Sequence, residues 1–311
     1  MRAAERAREA FKTTSAGQAC VQKLASLGLL RPRAGHYYSP IPSRADVRRD
    51  REQIFDRSLR PLPGIEFDEA AQVELLEALA RLYPEQPFAD GSPTRYGLNN
   101  SWFPAADGLY LHLMLRHERP KQVIEVGSGF SSLVMLDTNE RFFENRMRLT
   151  FVEPNPKRLL SRLRPGDAQR AQIVRRRVQD VEQSLFCELD AGDILFVDSS
   201  HVSKVGSDVN YLLFSVLPQL APGVLVHFHD VPYPFEYPPA WIDYGFAWNE
   251  AYLLRAFLQY NAAFRIRLWG SYLALAHAEF LQERMPLCAT PTGFGVGGSL
   301  WLERVSPGSA R

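Results

Sequence analysis

Short runs of apolar residues, each ended by a polar or glycine-rich turn, dominate the chain beyond residue 120. Seven runs of this kind are typical of buried strands, and they occupy residues 122–129, 149–156, 172–180, 193–201, 223–231, 264–272 and 298–305. Segments whose apolar residues have helical spacing separate the first five runs. Strands that alternate with helices predict an α/β fold with a doubly wound, seven-stranded, mostly parallel sheet and helices on both of its faces.

The first part of the chain has a different pattern. Residues 1–30 are rich in Ala and Arg at helical spacing, and proline-punctuated loops surround a short charged helix predicted at about 44–57. Asp68 is placed to cap a further helix that ends near residue 82. We therefore expect a helical and loop extension over residues 1–90, an α/β domain over 91–305 and a disordered tail over 306–311.

Composition and charge narrow the classes of partner. The chain has 311 residues, 46% of them hydrophobic, which is enough for one large domain with an appendage or for two domains. Its net charge of +1 gives no reason to expect a nucleic acid or an acidic membrane as partner. Residues 1–60 carry 13 Lys or Arg against 6 Asp or Glu, which we interpret as a solvated arm, with an arm for an anionic partner as the alternative.

The location of the protein is inferred from its cysteines and its N-terminal pattern. Its three cysteines lack the spacing of a redox or metal motif, which favours a reducing compartment. The N-terminus has no apolar signal-peptide core, and no apolar run approaches the roughly 18 residues of a membrane span. We therefore expect a cytoplasmic protein without a membrane partner.

A glycine-rich turn follows the first strand of the predicted sheet. The sequence "VIEVGSGFSS" at 123–132 has the pattern E-x-G-x-G-x-S, with Glu125 in the strand and Gly127 and Gly129 in the turn. It matches neither the G-x-G-x-x-G of a dinucleotide site nor a P-loop. Ligands of open α/β sheets bind at the carboxyl ends of the strands, and glycines there let the backbone approach a ligand closely.

An acid ends the second strand. Glu153 lies 28 residues after Glu125, in "FVEPNP", and an acid at this place can accept hydrogen bonds from two ribose hydroxyls. A solvated carboxylate is the alternative interpretation, and the glycine-rich turn nearby in the sheet argues against it.

These residues resemble the class I S-adenosylmethionine-dependent methyltransferases, whose fold is Rossmann-like, over about residues 95–305. The closest resemblance is to the small-molecule O-methyltransferase-like branch with an Asp-x-Ser-His motif, here Asp198 to His201. The resemblance implies S-adenosylmethionine as cofactor and a small-molecule acceptor, methylated on oxygen rather than nitrogen. It implies that the cofactor contacts Glu125, Gly127, Ser128, Gly129, Ser131, Glu153, Asp180 and Asp198. Phe130 and Ser131 stand where the family usually has its third glycine.

Two histidines and two acids follow the fourth and fifth strands, namely Asp198, His201, His229 and Asp230. The resemblance implies a divalent metal on the acids at these two strand ends, with Asp198, His229 and Asp230 as its ligands. Oxygen ligands suit Mg²⁺, whereas a histidine among them suits Mn²⁺ or Fe²⁺ better. A metal-free site with His201 or His229 as general base, and a structural hydrogen-bonded cluster, are the alternatives. His227 lies deeper in the fifth strand and is interpreted as a core residue.

Two aromatic loops complete the predicted site. The loop "RYGLNNSWF" at 95–103 offers Asn100 and Trp102, and the long loop at 232–250 offers Tyr233 and Trp248. A long loop after a site is typical of a lid, so we expect these four residues to contact the acceptor. The aromatic extension also makes a homodimer plausible.

Two other functions remain open at this point. A histidine with two acids can bind iron, which would allow metal-dependent oxidation on the same fold. A binding protein with a relict cofactor site is the other alternative, since fold alone does not determine function.

Overall fold

A computed structural model describes residues 14–26, 34–89, 91–289 and 297–306, and these form two compact units divided between Asp56 and Arg57. The predicted tail beyond residue 306 lies outside the described residues. The helices of the first unit are α1 (Ser15–Ser26), α2 (Arg44–Arg49) and α3 (Arg51–Ile54). Ser43 begins α2, because its hydroxyl accepts hydrogen bonds from the backbone N–H groups of Ala45 and Asp46. The domain boundary predicted near residue 90 stays a prediction.

The second unit is built on a seven-stranded sheet, which confirms the predicted fold class. Its strands are β1 (Gln122–Val126), β2 (Arg148–Val152), β3 (Ala171–Val174), β4 (Ile194–Val197), β5 (Leu225–Phe228), β6 (Phe264–Trp269) and β7 (Leu300–Arg304). Their order across the sheet is β3-β2-β1-β4-β5-β7-β6. Strands β1 to β5 are parallel, and β7 runs antiparallel to both β5 and β6.

Two described helices of the second unit precede β1 and the others lie between the strands, as the spacing of apolar residues predicts. They are α4 (Glu69–Leu82), α5 (Ala105–Glu118), α6 (Phe130–Phe142), α7 (Lys157–Leu160), α8 (Asp167–Arg170), α9 (Ser184–Cys187), α10 (Asp208–Tyr211), α11 (Pro239–Asp243), α12 (Glu250–Leu258), α13 (Gly270–Ala276), α14 (Ala278–Arg284) and α15 (Pro286–Ala289). Asp68 caps α4 as expected, since its carboxylate accepts a hydrogen bond of 2.9 Å from the backbone N–H of Ala71. Among the described helices, none is long and apolar enough to cross a membrane.

The register of the sheet aligns the ends of its parallel strands. Val126 of β1 pairs with Val152 of β2 and Val197 of β4, and Val197 in turn pairs with Phe228 of β5. The residues that follow these positions therefore lie in one row along the carboxyl edge of the sheet. The chain builds outward from β1 to β3 and then crosses to β4 on the other side of β1. This reversal creates the crevice in which α/β sheets bind ligands.

Candidate active site

Gly127 is the point of closest approach between the turns that follow β1 and β4. Its backbone has a φ of +86°, and a Cβ atom at this position would lie 1.7 Å from the carbonyl oxygen of Asp198. A side chain is therefore excluded both by the left-handed conformation and by the neighbouring strand end. The sequence pattern predicts that a ligand requires this glycine, whereas in the structure the protein's own backbone already requires it.

Gly129 has room where Gly127 has none. Its φ of −173° is extended, and a Cβ atom would meet only the Arg158 side chain, at an ordinary contact distance of 3.6 Å from Cδ. The backbone N–H of Gly129 donates to the Ser132 hydroxyl at 3.0 Å. The turn is thus open on the side of Gly129, where a ligand can approach the backbone.

Glu125 is fully buried in β1 beneath this turn. Its carboxyl group accepts hydrogen bonds from the hydroxyls of Ser131, at 2.5 Å, and of Ser132. Burial raises the pKa of Glu125 to about 8, although these hydroxyls act in the opposite direction. Glu125 and Ser131 therefore fix the start of α6 against β1, and the group is a neutral acid at neutral pH.

Glu153 and Asp180, which follow β2 and β3, lie on the same edge of the sheet. Glu153 links two turns, because its carboxylate accepts hydrogen bonds from the backbone N–H of Asn155 at 2.7 Å and of Ser128 at 3.3 Å. The Ser128 hydroxyl is buried and has no hydrogen-bond partner among the described residues. Asp180 is exposed and forms an ion pair of 2.7 Å with Arg177, which holds the pKa of Asp180 below its usual range.

His201 is the centre of the polar cluster at the ends of β4 and β5. Its Nε2 lies 3.4 Å from an oxygen of Asp198 and 3.6 Å from an oxygen of Asp230. Its Nδ1 lies 2.9 Å from the carboxylate of Glu250, a buried residue at the start of α12. His229 completes the cluster, with Nε2 3.4 Å from the other oxygen of Asp230. The structure thus brings together the four predicted catalytic residues and adds Glu250.

The charges in this cluster follow from its contacts. Burial alone would lower the pKa of His201, but hydrogen bonds to Asp198 and Glu250 raise it well above its usual value. Burial alone would raise the pKa of Asp198, but His229 and His201 hold it below its usual range. These contacts therefore favour the imidazolium form of His201 and the carboxylate form of Asp198.

The effects on the pKa of Asp230 have a different balance from those on Asp198. Burial raises its pKa, and the attraction of His229 and His201 only partly offsets this effect. The carboxylates of Asp230 and Asp198 in turn raise the pKa of His229 against the effect of burial. Asp230 and His201 both have a φ of +57°, a conformation that non-glycine residues adopt rarely and often at functional sites.

The cluster does not have the arrangement of a metal site. Among the described residues, no group of three or more His, Cys, Asp or Glu side chains is placed to hold a metal ion. The Nε2 atom of His201 already bridges Asp198 and Asp230 and brings positive charge between them. The predicted ligands Asp198, His229 and Asp230 are therefore not gathered around a common point in the described residues, and a metal on them stays a prediction.

A cavity of about 770 Å³ opens beside Asp230 and His229, which form part of its wall. The four residues predicted to contact the acceptor also line it, namely Asn100, Trp102, Tyr233 and Trp248. Two of them have their polar groups engaged elsewhere. The Asn100 amide donates to the backbone carbonyls of Gly97 and Phe103, and the Tyr233 hydroxyl donates to that of Arg60. These two shape the wall of the cavity, and their polar atoms are already bonded.

Buried charges hold the loop that carries Asn100 and Trp102. The guanidinium of Arg95, with 2% of its side chain exposed, forms ion pairs of 2.8 Å with Asp137 and 2.6 Å with Asp167. At the far end of the loop, the guanidinium of Arg158 lies 3.7 Å from the ring centre of Trp102. The ion pairs thus fix the loop at Arg95, and the cation–π contact holds it at Trp102.

Sequence reasoning missed Glu250 and Arg57. Glu250 lies 49 residues after His201 in the chain, and an acid at a helix start is usually a favourable charge for the helix dipole. Arg57 lines the cavity although it precedes the predicted domain by more than 30 residues. No local motif marks either residue. His227, by contrast, is a fully buried core residue stacked on Phe196, as expected.

Known proteins are similar to this chain in sequence. Residues 124–231 match the family model described as a methyltransferase domain. An uncharacterized protein from Archaeoglobus fulgidus is 35% identical over 164 residues, which cover 50% of this chain and 72% of that protein.

Solved structures are similar at lower identity. The methyltransferase PaMTH1 of Podospora anserina, bound to SAH, is 13% identical, with a TM-score of 0.40 over 85% of this chain and 98% of the other. An O-methyltransferase from Bacillus cereus in complex with SAH is 14% identical, with a TM-score of 0.38 over 82% of this chain and 96% of the other.

Proposed function

We propose that this chain, whose residues 124–231 match a methyltransferase domain, is a class I S-adenosylmethionine-dependent methyltransferase that methylates a hydroxyl oxygen of a small molecule bound in the cavity beside Asp230. One observation carries this proposal. Asp230 lines the cavity, and its two oxygens face the two imidazoles of His229 and His201. A hydroxyl acceptor must lose a proton as it is methylated, and this arrangement provides a place for that proton.

The turns at the ends of β1 and β2 would hold the cofactor. The open backbone at Gly129 and the unpartnered hydroxyl of Ser128 suit the amino-acid part of S-adenosylmethionine. Both residues follow Gly127, whose backbone is in close contact with the end of β4. Glu153 would accept hydrogen bonds from the ribose, and Asp180 would contact the adenine. Bound S-adenosylmethionine would supply an electrophilic methyl group, and the protein would position the acceptor oxygen in line with it.

The residues of the cluster have separate roles in this mechanism. Asp230 accepts the proton of the acceptor hydroxyl, and its raised pKa makes it a stronger base than an ordinary aspartate. His229 shares that proton through the contact between its Nε2 and Asp230. His201, held by Asp198 and Glu250, keeps a positive charge beside Asp230 and stabilises it in its ionised form.

This proposal favours one of the alternatives left open by the sequence. Methyl transfer fits the family better than iron-dependent oxidation or a relict site, and the donor arrangement in the described residues favours metal-free proton transfer. Assistance by a divalent metal, the roles of the individual site residues and a homodimer stay predictions.

Calorimetric titration of the metal-stripped protein with S-adenosylmethionine tests the proposal. We expect micromolar binding that Glu153→Ala abolishes and that Glu182→Ala leaves unchanged, since Glu182 is an exposed acid outside the predicted site. Mg²⁺, Mn²⁺ or Fe²⁺ added afterwards should produce no specific heat. Absence of cofactor binding would overturn the proposal, and a metal heat that is lost in Asp230→Ala would replace its metal-free mechanism with a metal-assisted one.

A further inference from the structure

Arg57 is a partly buried arginine in the wall of the same cavity. Within the part of the chain that the structure describes, its guanidinium makes neither a hydrogen bond nor an ion pair, whereas Arg95 is fully paired. Burial lowers the pKa of Arg57, and the nearby charge of Glu236 only partly compensates. The wall of the cavity thus contains a cation without a counterion in contact.

Glu236 lies near Arg57 but forms no ion pair with it among the described residues. One oxygen of its carboxylate, Oε1, accepts hydrogen bonds from the Tyr252 hydroxyl at 2.6 Å and from the backbone N–H of Tyr237 at 3.0 Å. Burial also raises the pKa of Glu236, which weakens its negative charge. An arginine that is partly removed from water gains most from a carboxylate or a similar planar anion, which it can bind through two parallel hydrogen bonds.

The rest of the wall suits a flat apolar body. Phe246 and Trp248 are stacked with ring centres 4.8 Å apart, and Trp241 packs edge-on against Trp248 at 5.0 Å. All three line the cavity together with Arg57 and Asp230. A volume of about 770 Å³ lies within the range of pockets for drug-sized ligands.

We propose that the methyl acceptor is an aromatic hydroxy acid: an anionic group, a carboxylate in the simplest case, pairs with Arg57, the flat body lies among the aromatic rings, and the hydroxyl faces Asp230. This inference rests on the proposed function, because it treats the occupant of the cavity as the methyl acceptor. It adds the chemical class of that acceptor and a specificity-determining residue.

Competitive displacement of a neutral fluorescent probe tests the pairing without any methyl transfer. The probe is N-phenyl-1-naphthylamine, and the competitors are 2-naphthoate and 2-naphthamide, which have the same shape but differ in charge. We expect naphthoate to displace the probe from the wild-type protein at a concentration about 10- to 100-fold lower than naphthamide, as for a charge-assisted contact. In Arg57→Gln this preference should disappear while naphthamide binds as before.

Arg141→Gln is the matched control, because Arg141 is exposed on α6 and lies outside the cavity; it should keep the preference for naphthoate. Equal displacement by the two competitors in the wild-type protein, or a preference that persists in Arg57→Gln, would overturn the inference. If Arg57→Gln does not fold, Arg57→Lys takes its place, since lysine keeps the charge but loses the planar two-bond geometry. A reduced preference supports the pairing, and an unchanged one contradicts it.

The two proposals fail in different ways. If S-adenosylmethionine does not bind, the ligand of the cavity is no longer assigned as a methyl acceptor, but the anion site at Arg57 is unaffected. Loss of the naphthoate preference leaves the methyltransferase proposal intact and removes only the acidic substrate class. After both tests succeed, transfer of labelled methyl groups to aromatic hydroxy acids and to their amides measures the same preference in turnover.

Discussion

Glu125 supports the turn above it from within the sheet. Its carboxyl group is fully buried and bonded to the hydroxyls of Ser131 and Ser132, so it fixes the first turn of α6. The same acid would be a poor partner for a ligand, because ionising it costs free energy in this environment. Its contribution to the turn therefore depends on its staying neutral.

A pH dependence of stability follows from Glu125. A carboxyl group whose folded pKa is raised from 4.5 to about 8 contributes most below the lower value, and its contribution is lost as the pH rises through the higher one. The free energy of unfolding should therefore fall by about 1.4 kcal/mol per pH unit between these values relative to Glu125→Gln. Urea denaturation of both proteins from pH 4 to pH 9 checks this, with the exposed Glu182→Gln as control; parallel curves for wild type and Glu125→Gln would contradict it.

Proton transfer at Asp230 gives a second prediction at the residue scale. Asp230→Asn should lower kcat by about 10²- to 10⁴-fold, because asparagine cannot accept the proton, while the affinity for S-adenosylmethionine stays the same. In the wild-type protein the rate should fall as the pH falls through the pKa of Asp230, which lies above that of an ordinary aspartate. Steady-state rates across pH test this, with the exposed Asp190→Asn as control. An Asp230→Asn variant with full activity would exclude Asp230 as the base.

Single residues were predictable from the sequence where a strand end determines their position. Glu153, Gly127, Asp198 and His229 each follow the last residue of a parallel strand, so the register alone brings them into one row. Glu250 reaches the same place from a helix far along the chain, and its position depends on how the loop at 232–250 folds back. The spacing of apolar residues does not indicate that this loop brings Glu250 back to the strand ends.

The turn between β1 and α6 is the element in which two similar glycines have different functions. Gly127 is required by the backbone of the β4 end, whereas Gly129 borders open space and one flexible side chain. A sequence pattern cannot separate them, because both positions read simply as glycine. The difference between them arises because Gly127 lies against Asp198, which is 71 residues further along the chain.

Matched alanine substitutions distinguish these two glycines. Gly127→Ala should destabilise the fold by several kcal/mol and abolish cofactor binding, because its Cβ would overlap the Asp198 carbonyl and its φ is positive. Gly129→Ala should leave the melting temperature within a few degrees and weaken only the binding of S-adenosylmethionine. Thermal unfolding with and without cofactor measures both effects, and equal destabilisation by the two substitutions would show that this assignment is wrong.

Secondary structure elements were predictable in type more than in extent. All seven apolar runs contain strands, yet β3 ends at Val174, and the exposed Arg175 to Arg177 lie beyond it. The alternation in "QIVRRRVQD" continues past the strand because an exposed turn tolerates the same polar residues. Hydrogen bonds to the neighbouring strand, which the sequence does not display, determine where the strand ends.

At the scale of the whole molecule, the second unit contains its own hydrophobic core. The core cluster of buried side chains begins at Leu62 and ends at Leu302. Helix α4 contributes to it through Leu75, Leu76 and Leu79. The spacing of these leucines predicts a helix with one buried face but does not indicate which surface covers that face. This is why the sequence assigns α4 to an extension, while its contacts place it within the second unit.

Because the second unit contains its own hydrophobic core, we predict that it folds stably without the first unit. A chain of residues 57–311 should unfold in one cooperative transition, and a hundredfold excess of S-adenosylhomocysteine over its Kd should add about 2.7 kcal/mol, as in the full chain. Calorimetric unfolding of both chains tests this prediction. A broad transition without cooperativity, or a ligand effect present only in the full chain, would contradict it.

The ion pairs of Arg95 have a consequence for ionic strength. At 1 M salt the Debye length falls to about 3 Å, so mobile ions screen charges that water reaches and have little effect on charges that the protein encloses. The exposed pair of Arg177 and Asp180 should weaken as salt is added, whereas Arg95, Asp137 and Asp167 are almost inaccessible to solvent. The pairs of Arg95 with Asp137 and Asp167 should therefore persist at high salt, whereas added salt weakens the pair on the adenine side of the proposed cofactor site.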